Sequence, residues 1–130
     1  VLKRVPANVR VILIDFHAEA TSDKQLLGRY LDGRVTAVLG THTHVPTADA
    51  CILPHGTAFQ CDVGMTGPYD SILGRKVAAV TEAVTTFRPT QFQVATEDIR
   101  ICGAIIEVNN QNGNATAIES FVWKQAAQAE

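Results

Sequence analysis

The chain has 130 residues, the size of one ordinary domain, and 46% of them are hydrophobic while 18% are charged. This balance is typical of soluble globular proteins and excludes a disordered chain, and no apolar stretch reaches the ~20 residues that cross a bilayer. The net charge is −2, and the lysines and arginines are scattered, which argues against a nucleic-acid-binding surface.

The first part of the chain predicts a β-α-β unit. Residues 9–16 are almost all apolar and largely β-branched, which is typical of a strand buried on both faces. Residues 22–32 predict a helix that begins with a capping box at Ser22 and stops at Gly33. Residues 35–40 predict a second buried strand, parallel to the first through a right-handed crossover. The helix would bury one stripe of side chains: Leu26, Leu27, Tyr30 and Leu31.

A hairpin and a loop are expected next. Two strand-like runs lie on either side of residues 54–56, whose Pro-His-Gly sequence predicts a three-residue loop. In that register Cys51 faces Phe59 and not Cys61, so the pattern predicts no cross-strand disulfide. Residues 64–71 carry glycine and proline at turn positions and predict a loop.

The remaining residues predict a helix and a second hairpin. Valines at helical spacing favour a helix over residues 74–87. Residues 99–109 and 115–124 are two long strand patterns, joined by a tight turn at Asn112-Gly113. The tail at 125–130 is expected to fray.

This order of elements predicts an α/β fold: a layered, mixed β-sheet with flanking helices, in a single domain over residues 1–130. The cysteine count is odd and contains no C-x-x-C pair, which argues against a disulfide framework and favours a reducing, cytoplasmic compartment. The three cysteines lie in apolar strand patterns and are interpreted as core thiols: Cys51, Cys61 and Cys102.

Three histidines follow the ends of the first two predicted strands. His17 comes after the first strand, and His42 and His44 come after the second. Because the carboxyl ends of parallel strands meet at one edge of a sheet, we expect the three imidazoles to converge, with His42 and His44 on the same side if the backbone stays extended. Such a set favours a divalent transition metal. Hydrogen-bonded surface histidines are the alternative, and His55 lies apart at the predicted hairpin tip.

Three blocks of the sequence carry a resemblance to a known family. They are DFHAEATSDK (15–24), GTHTHVPTAD (40–49) and DVGMTGPYDS (62–71). In order and spacing they resemble the C-terminal half of bacterial calcineurin-like metallophosphoesterases, the small cyclic-nucleotide phosphodiesterases, from about residue 9 to residue 123. The resemblance implies a four-layered α/β/β/α fold with two metals between its sheets. It also implies that His17 and His42 bind one metal and that His44 binds the other.

The rest of that family's centre has no counterpart here. The first half of the family supplies an aspartate, a bridging acidic residue, asparagines and a G-N-H histidine that assists the leaving group, and none of these is present. We therefore expect at most one ion, Mn, Fe or Zn, and no catalytic residue beyond the metal ligands. Asp15 imitates the superfamily's D-x-H opening but belongs to the later half, so it is interpreted as a buried strand-end residue. Glu19 is a candidate to orient the ring of His17.

The third block is a candidate substrate loop. Its glycines allow positive φ and a close approach of backbone N–H groups to a phosphate, although any sharp turn between a strand and a helix has the same composition. The candidate residues are Asp62, Gly64, Thr66 and Gly67.

The predicted function is hydrolysis of a small phosphodiester, such as a cyclic nucleotide, by a dinuclear metal site. This chain alone is expected to be weakly active or inactive, and its expected partner is the missing N-terminal half or a second copy. No membrane partner is expected. The alternative is a non-catalytic metal-binding or oligomerising module.

Overall fold

The computed structural model describes residues 2–126, so most of the tail that was expected to fray lies outside the described residues. The chain divides into two compact units. The first contains the residues up to Gly64 together with Gly103–Phe121, and the second contains Met65–Cys102 and the residues from Val122 onward. Both units contain strands and each has one α-helix within residues 2–126, so the predicted α/β class is confirmed.

The first unit holds a four-stranded sheet in the order β1-β2-β4-β3. Strands β1 (Leu13–His17) and β2 (Ala37–Thr41) pair in parallel and are connected by helix α1 (Thr21–Leu31). Strand β4 (Ala58–Gln60) pairs in parallel with β2 and antiparallel with β3 (Cys51–Ile52). The predicted β-α-β unit and the hairpin after it are therefore both confirmed.

Strand β1 is buried on one face only, so the expectation of burial on both faces was wrong. Its residues alternate between exposed and half-buried, and Leu13 is 59% exposed. Ile14 packs against the core, whereas Asp15 is exposed and not buried as expected. The core covers only the face of β1 that carries Ile14, and the opposite face is left exposed within the described residues.

The face of helix α1 that packs against the sheet differs from the leucine-rich face that was predicted from the sequence. Gly28 is buried so closely against β4 that an added Cβ would lie 2.5 Å from the ring of Phe59. This approach fixes the rotation of the helix and turns Lys24, one turn earlier, into the interior. Leu26 and Tyr30 are 70% and 66% exposed, so the predicted stripe was wrong for both.

The two ends of α1 differ in how well they were predicted. The N-cap residue is Ala20, and no side chain of the described residues hydrogen-bonds to this cap, so the predicted capping box at Ser22 was wrong. Gly33 follows the helix with φ of 74°, a left-handed conformation that glycine adopts without strain. The predicted stop is therefore confirmed.

The first hairpin has the predicted register and loop. Cys51 lies opposite Phe59, and the N–H of Leu53 donates to the carbonyl of Thr57 at 2.8 Å, which closes a three-residue loop at 54–56. Helix α1, strand β2 and this hairpin supply the main core. Its buried members are Leu31, Val35, Val38, Leu53, Phe59 and Cys61.

The second unit contains helix α2 (Val77–Thr86) and the two-residue strand β5 (Gly67–Pro68), which lies within the predicted loop. The second sheet has the order β5-β6-β7, and strands β6 (Ile99–Val108) and β7 (Ala115–Lys124) contribute residues to both units. The predicted helix and long strands are thus confirmed. No residue of α2 is buried within the described chain, and neither α1 nor α2 is long and apolar enough to cross a membrane.

The connection between β6 and β7 is wider than predicted. The N–H of Asn109 donates to the carbonyl of Asn114, and the N–H of Gly113 donates to the carbonyl of Asn109, which encloses four residues instead of two. Gly113 packs against other residues of the first unit: an added Cβ would lie 2.1 Å from the carbonyl oxygen of Arg10, and the hydroxyl of Thr36 donates to its carbonyl. These contacts override the local turn preference, so the predicted tight turn was wrong.

The cysteines are all free thiols. Cys61 and Cys102 are buried, as expected. Cys51 is exposed because it lies on β3, at the other end of the described sheet, so its interpretation as a core thiol was wrong.

Candidate metal centre

The His-Thr-His segment leaves the end of β2 in an unusual backbone conformation. His42 has φ of 143° and His44 has φ of 65°. Side chains with a Cβ rarely adopt this region, and each such residue costs about 1–3 kcal/mol. The backbone is therefore not extended, although the expectation that His42 and His44 project together depended on an extended backbone. Strain of this size persists only where surrounding contacts hold the segment.

The sheet brings His17 and His42 together. His17 is the last residue of β1 and pairs in register with Thr41, the residue before His42. Nε2 of His17 lies 3.2 Å from Nδ1 of His42, and the ring centroids are 5.1 Å apart with the planes at 73°. Both side chains are exposed. Two of the three predicted ligands thus meet at the carboxyl ends of neighbouring parallel strands.

Thr41 orients the ring of His17. Its hydroxyl lies 3.0 Å from Nδ1 of His17, which leaves Nε2 directed towards His42. Glu19, the residue proposed from the sequence for this role, is exposed. A hydrogen bond on the nitrogen away from a ligand typically sets the tautomer and the ring orientation of a metal-binding histidine. Sequence reasoning missed Thr41, although the predicted parallel pairing of the two strands was the signal that could have found it.

The spacing of the two rings fits a shared ion. Imidazole nitrogens bind zinc at about 2.0–2.1 Å, so two ligands of one tetrahedral ion lie about 3.3 Å apart. The observed 3.2 Å between the nitrogens of His17 and His42 is close to that separation, and in this structure it is the length of a hydrogen bond between the two rings. Two ligands do not complete such a site, and within residues 2–126 no group of three His, Cys, Asp or Glu side chains is placed to hold a metal ion. His44 is half-buried and does not extend the pair to such a group.

Asp62 anchors the histidine segment. Its side chain is buried, its Oδ2 accepts a hydrogen bond from the N–H of Thr43 at 2.7 Å, and its Oδ1 accepts one from the N–H of Gly64 at 3.0 Å. Asp62 and Gly64 were predicted from the sequence to belong to a substrate loop. The carboxylate of Asp62 bonds both to Gly64 and to the histidine segment.

The other two residues of the candidate substrate loop belong to the second unit. Thr66 is exposed, and Gly67 lies in β5, where it pairs with Arg100. The φ of Gly67 is 156°, and that of Gly64 in the first unit is 87°, so both glycines use the conformational freedom that the sequence predicted.

Lys24 supplies the positive charge that faces Asp62, and sequence reasoning missed it. Its Nζ lies 3.6 Å from Oδ2 of Asp62, with the two side chains 2% and 1% exposed. Gly40 leaves room for it, because an added Cβ there would lie 2.7 Å from Cδ of Lys24 and 1.8 Å from the carbonyl oxygen of Cys61. Lys24 and Gly28 are one helical turn apart, so they lie on the same face of α1, the face that the structure buries. This spacing was the signal that could have found Lys24.

Cys61 lies beside this arrangement but does not contribute a thiolate. Burial, together with the nearby carboxylate of Asp49, raises the pKa of the Cys61 thiol to about 11. Asp49 also accepts the backbone N–H of Cys61 at 3.2 Å. The thiol is therefore protonated at neutral pH, which makes it neither a nucleophile nor a ready metal ligand.

The fold and this centre define the class of the protein: an α/β protein with a pair of histidines at the carboxyl ends of two neighbouring parallel strands. A family described as YmdB-like protein matches residues 1–121. The chain belongs to this family, which confirms the resemblance found in the sequence at the level of the family.

Similar proteins agree with that assignment. The 2',3'-cyclic-nucleotide 2'-phosphodiesterase of Bacillus subtilis strain 168 is 51% identical over 120 residues, which cover 92% of this chain and 44% of the relative. A hypothetical protein from Thermus thermophilus superposes with a TM-score of 0.87 at 45% identity, covering 96% of this chain and 48% of the other. A novel phosphatase of Mycoplasma pneumoniae gives 0.85 at 34% identity, covering 95% and 43%. This chain thus spans less than half the length of each.

Proposed function

We propose that this chain supplies the histidine-bearing half of a metal-dependent phosphodiesterase that hydrolyses a small phosphodiester, such as a cyclic nucleotide. The observation that carries the proposal is the 3.2 Å separation of the His17 and His42 nitrogens. The names of two similar proteins, a 2',3'-cyclic-nucleotide 2'-phosphodiesterase and a phosphatase, support the same reaction class.

The ligands that we propose are His17 and His42 for one ion and His44 for a second. A bound Mn, Fe or Zn ion lowers the pKa of a coordinated water and stabilises negative charge on phosphoryl oxygens. The contribution of this chain is to present the imidazole rings in a fixed orientation. Thr41 directs Nε2 of His17 towards His42, and Asp62 holds the segment that carries His42 and His44. At most one ion is expected on this chain alone, since the remaining ligands are absent from its sequence.

The expected substrate contacts come from the loop that follows Asp62. Asp62 acts on the histidine segment by accepting the N–H of Thr43, and the N–H of Gly64 donates to the other oxygen of the same carboxylate. We propose Thr66 and Gly67 as further substrate-contact residues, since Thr66 is exposed and a glycine admits a close approach of the backbone.

The partner that we propose is the half of the polypeptide that the relatives contain beyond this region. Residues on the outward side of β1 and the segment before it are apolar yet exposed: Val9 is 42%, Val11 is 54% and Leu13 is 59% exposed. Strand β1 also ends the described sheet, so its outer backbone groups are available for pairing. Self-association through this strand is the competing outcome. Three free thiols favour a reducing, cytoplasmic location.

The first test measures metal on the purified chain. The chain is dialysed against micromolar Mn, Fe or Zn and analysed for metal, beside His17→Ala, His42→Ala and His55→Ala. We expect at most one ion on the parent, the same amount on His55→Ala, whose ring lies exposed at the hairpin tip, and none on the other two. Equal metal on His42→Ala and His55→Ala would overturn the ligand assignment.

The second test measures activity in a complete polypeptide, in which this chain is joined to the half that its relatives contain. Cleavage of a chromogenic phosphodiester that is lost in His17→Ala and kept in His55→Ala supports the enzyme. Metal binding without cleavage would overturn the catalytic proposal and favour a non-catalytic metal-binding module.

A further inference from the structure

We propose that Asp62, with its charge held by Lys24, is a positioning residue that fixes the conformation in which His42 and His44 present their rings. The inference rests on the metal-dependent function proposed above. Its central observation is the 2.7 Å hydrogen bond from the N–H of Thr43 to Oδ2 of Asp62. Thr43 is the single residue between the two histidines.

The hydrogen bond acts at the point where the backbone is strained. His42 and His44, on either side of Thr43, both have positive φ, a conformation that needs support from outside the segment. A charge-assisted hydrogen bond from a backbone N–H to a carboxylate is short and strong, and the accepting carboxylate of Asp62 is buried. The anchor therefore offsets the local strain directly.

The backbone of Asp62 holds the other end of the same segment. Its carbonyl oxygen accepts the N–H of Thr47 at 2.9 Å, and its own N–H donates to the hydroxyl of Thr47 at 2.9 Å. The segment from Thr43 to Thr47 is thus attached to one residue at both ends. Its position follows from where Asp62 sits at the end of β4, not from the preferences of the segment itself.

The requirement for a carboxylate follows from the number of donors. The two oxygens of Asp62 accept separate N–H groups, from Thr43 and from Gly64. An asparagine has one acceptor oxygen, so it could satisfy only one of these donors. A buried carboxylate needs a positive partner, and Lys24 provides it at 3.6 Å from inside helix α1. Lys24 therefore acts on the histidines through Asp62.

The test compares two double variants that both lack the buried charge pair. Removing Asp62 alone would leave Lys24 buried and unpaired, which could unfold the protein. Lys24→Met with Asp62→Asn keeps an acceptor for the N–H of Thr43, whereas Lys24→Met with Asp62→Ala removes it. Amide exchange of Val38 in β2 reports whether each variant is folded. Two quantities are then measured: exchange at Thr43 and the affinity for Zn²⁺ alone.

We expect the amide proton of Thr43 to exchange faster in the alanine variant than in the parent. We also expect this variant to bind Zn²⁺ about 10–100-fold more weakly, the range typical when a residue that orients the metal ligands is removed. The asparagine variant should bind Zn²⁺ with an affinity between those of the parent and the alanine variant. Equal Zn²⁺ affinity in the two variants, or unchanged exchange at Thr43 in the alanine variant, would overturn the inference. If the parent binds no Zn²⁺, the proposed function fails, and exchange at Thr43 alone still decides whether Asp62 holds the segment.

Discussion

The hydroxyl of Thr41 lies 3.0 Å from Nδ1 of His17, on the side of the ring away from His42. The parallel register places these two residues opposite each other at the ends of β2 and β1. A sheet contact, and not a loop, therefore sets which nitrogen of His17 is presented to the candidate ion. Side chains held by regular elements keep their orientation better than side chains held by loops.

Replacing Thr41 with valine should weaken metal binding while the fold is retained. The two side chains have similar shapes, but valine cannot hydrogen-bond to Nδ1 of His17, and the loss of such a contact typically costs 10–100-fold in metal affinity. Calorimetric titration with Zn²⁺ measures the effect. Thr116→Val, at an exposed position on β7, is the matched control and should bind as the parent does. An unchanged affinity in Thr41→Val would show that the hydroxyl does not orient the ring.

Replacing Gly40 with alanine should destabilise the first unit. The new methyl group would overlap the carbonyl oxygen of Cys61 and press on the stem of Lys24, and the backbone contact at 1.8 Å leaves no room for a small adjustment. Overpacking of this kind costs about 1–3 kcal/mol or more, which urea denaturation measures as a lower midpoint. In Gly103→Ala the methyl group would meet the ring of Phe121, a side chain that can move, so the loss should be smaller. A larger loss in Gly103→Ala would contradict this ranking.

The three thiols should differ sharply in reactivity. Cys51 is exposed, whereas Cys61 and Cys102 are buried and the pKa of Cys61 is raised to about 11. At pH 8 a disulfide reagent such as DTNB should therefore modify one thiol rapidly and the other two only on unfolding, because the thiolate is the reacting species. Cys51→Ser should abolish the rapid phase. A rapid phase that persists in Cys51→Ser would place a reactive thiol elsewhere.

Asp98 should titrate well below an ordinary aspartate. Hydrogen bonds from Arg100 and Lys124 lower its pKa from 3.8 to about 2. Since the folded value is below the unfolded one, the stabilisation from this cluster is fully present above pH 4 and is lost as the pH falls through 2. NMR titration of the Asp98 carboxyl carbon measures the value. Arg100→Gln should raise it towards 3.8, whereas Arg88→Gln, which removes an exposed charge elsewhere, should leave it unchanged.

Much of the architecture can be predicted from local patterns. The parallel pairing of β1 with β2, the register of Cys51 with Phe59 and the stop at Gly33 all follow from hydrophobic runs and turn residues. The face that α1 buries cannot, because it depends on the close contact between Gly28 and a ring from β4. A helix with several leucines offers more than one apolar stripe, and only the packing partner selects among them.

The candidate centre, too, can be predicted from the sequence only in part. The encounter of His17 with His42 follows from their places at the ends of neighbouring strands. The left-handed backbone of His42 and His44 does not, since nothing in the segment itself requires it. It depends on Asp62, which comes later in the chain and resembles a loop residue until its burial is known.

The attachment of Thr43 to Asp62 has a consequence for protein design. Transplanting the His-Thr-His tripeptide into the end of another parallel strand would carry the ligands without their geometry, because the free tripeptide would relax to an extended backbone. A usable graft needs the aspartate at the end of the adjacent strand, the lysine reaching it from the crossover helix, and a glycine in the histidine-bearing strand to let that lysine through. The transferable unit is therefore a strand, helix, strand and neighbouring strand together, and a search for similar centres in other scaffolds should look for that combination.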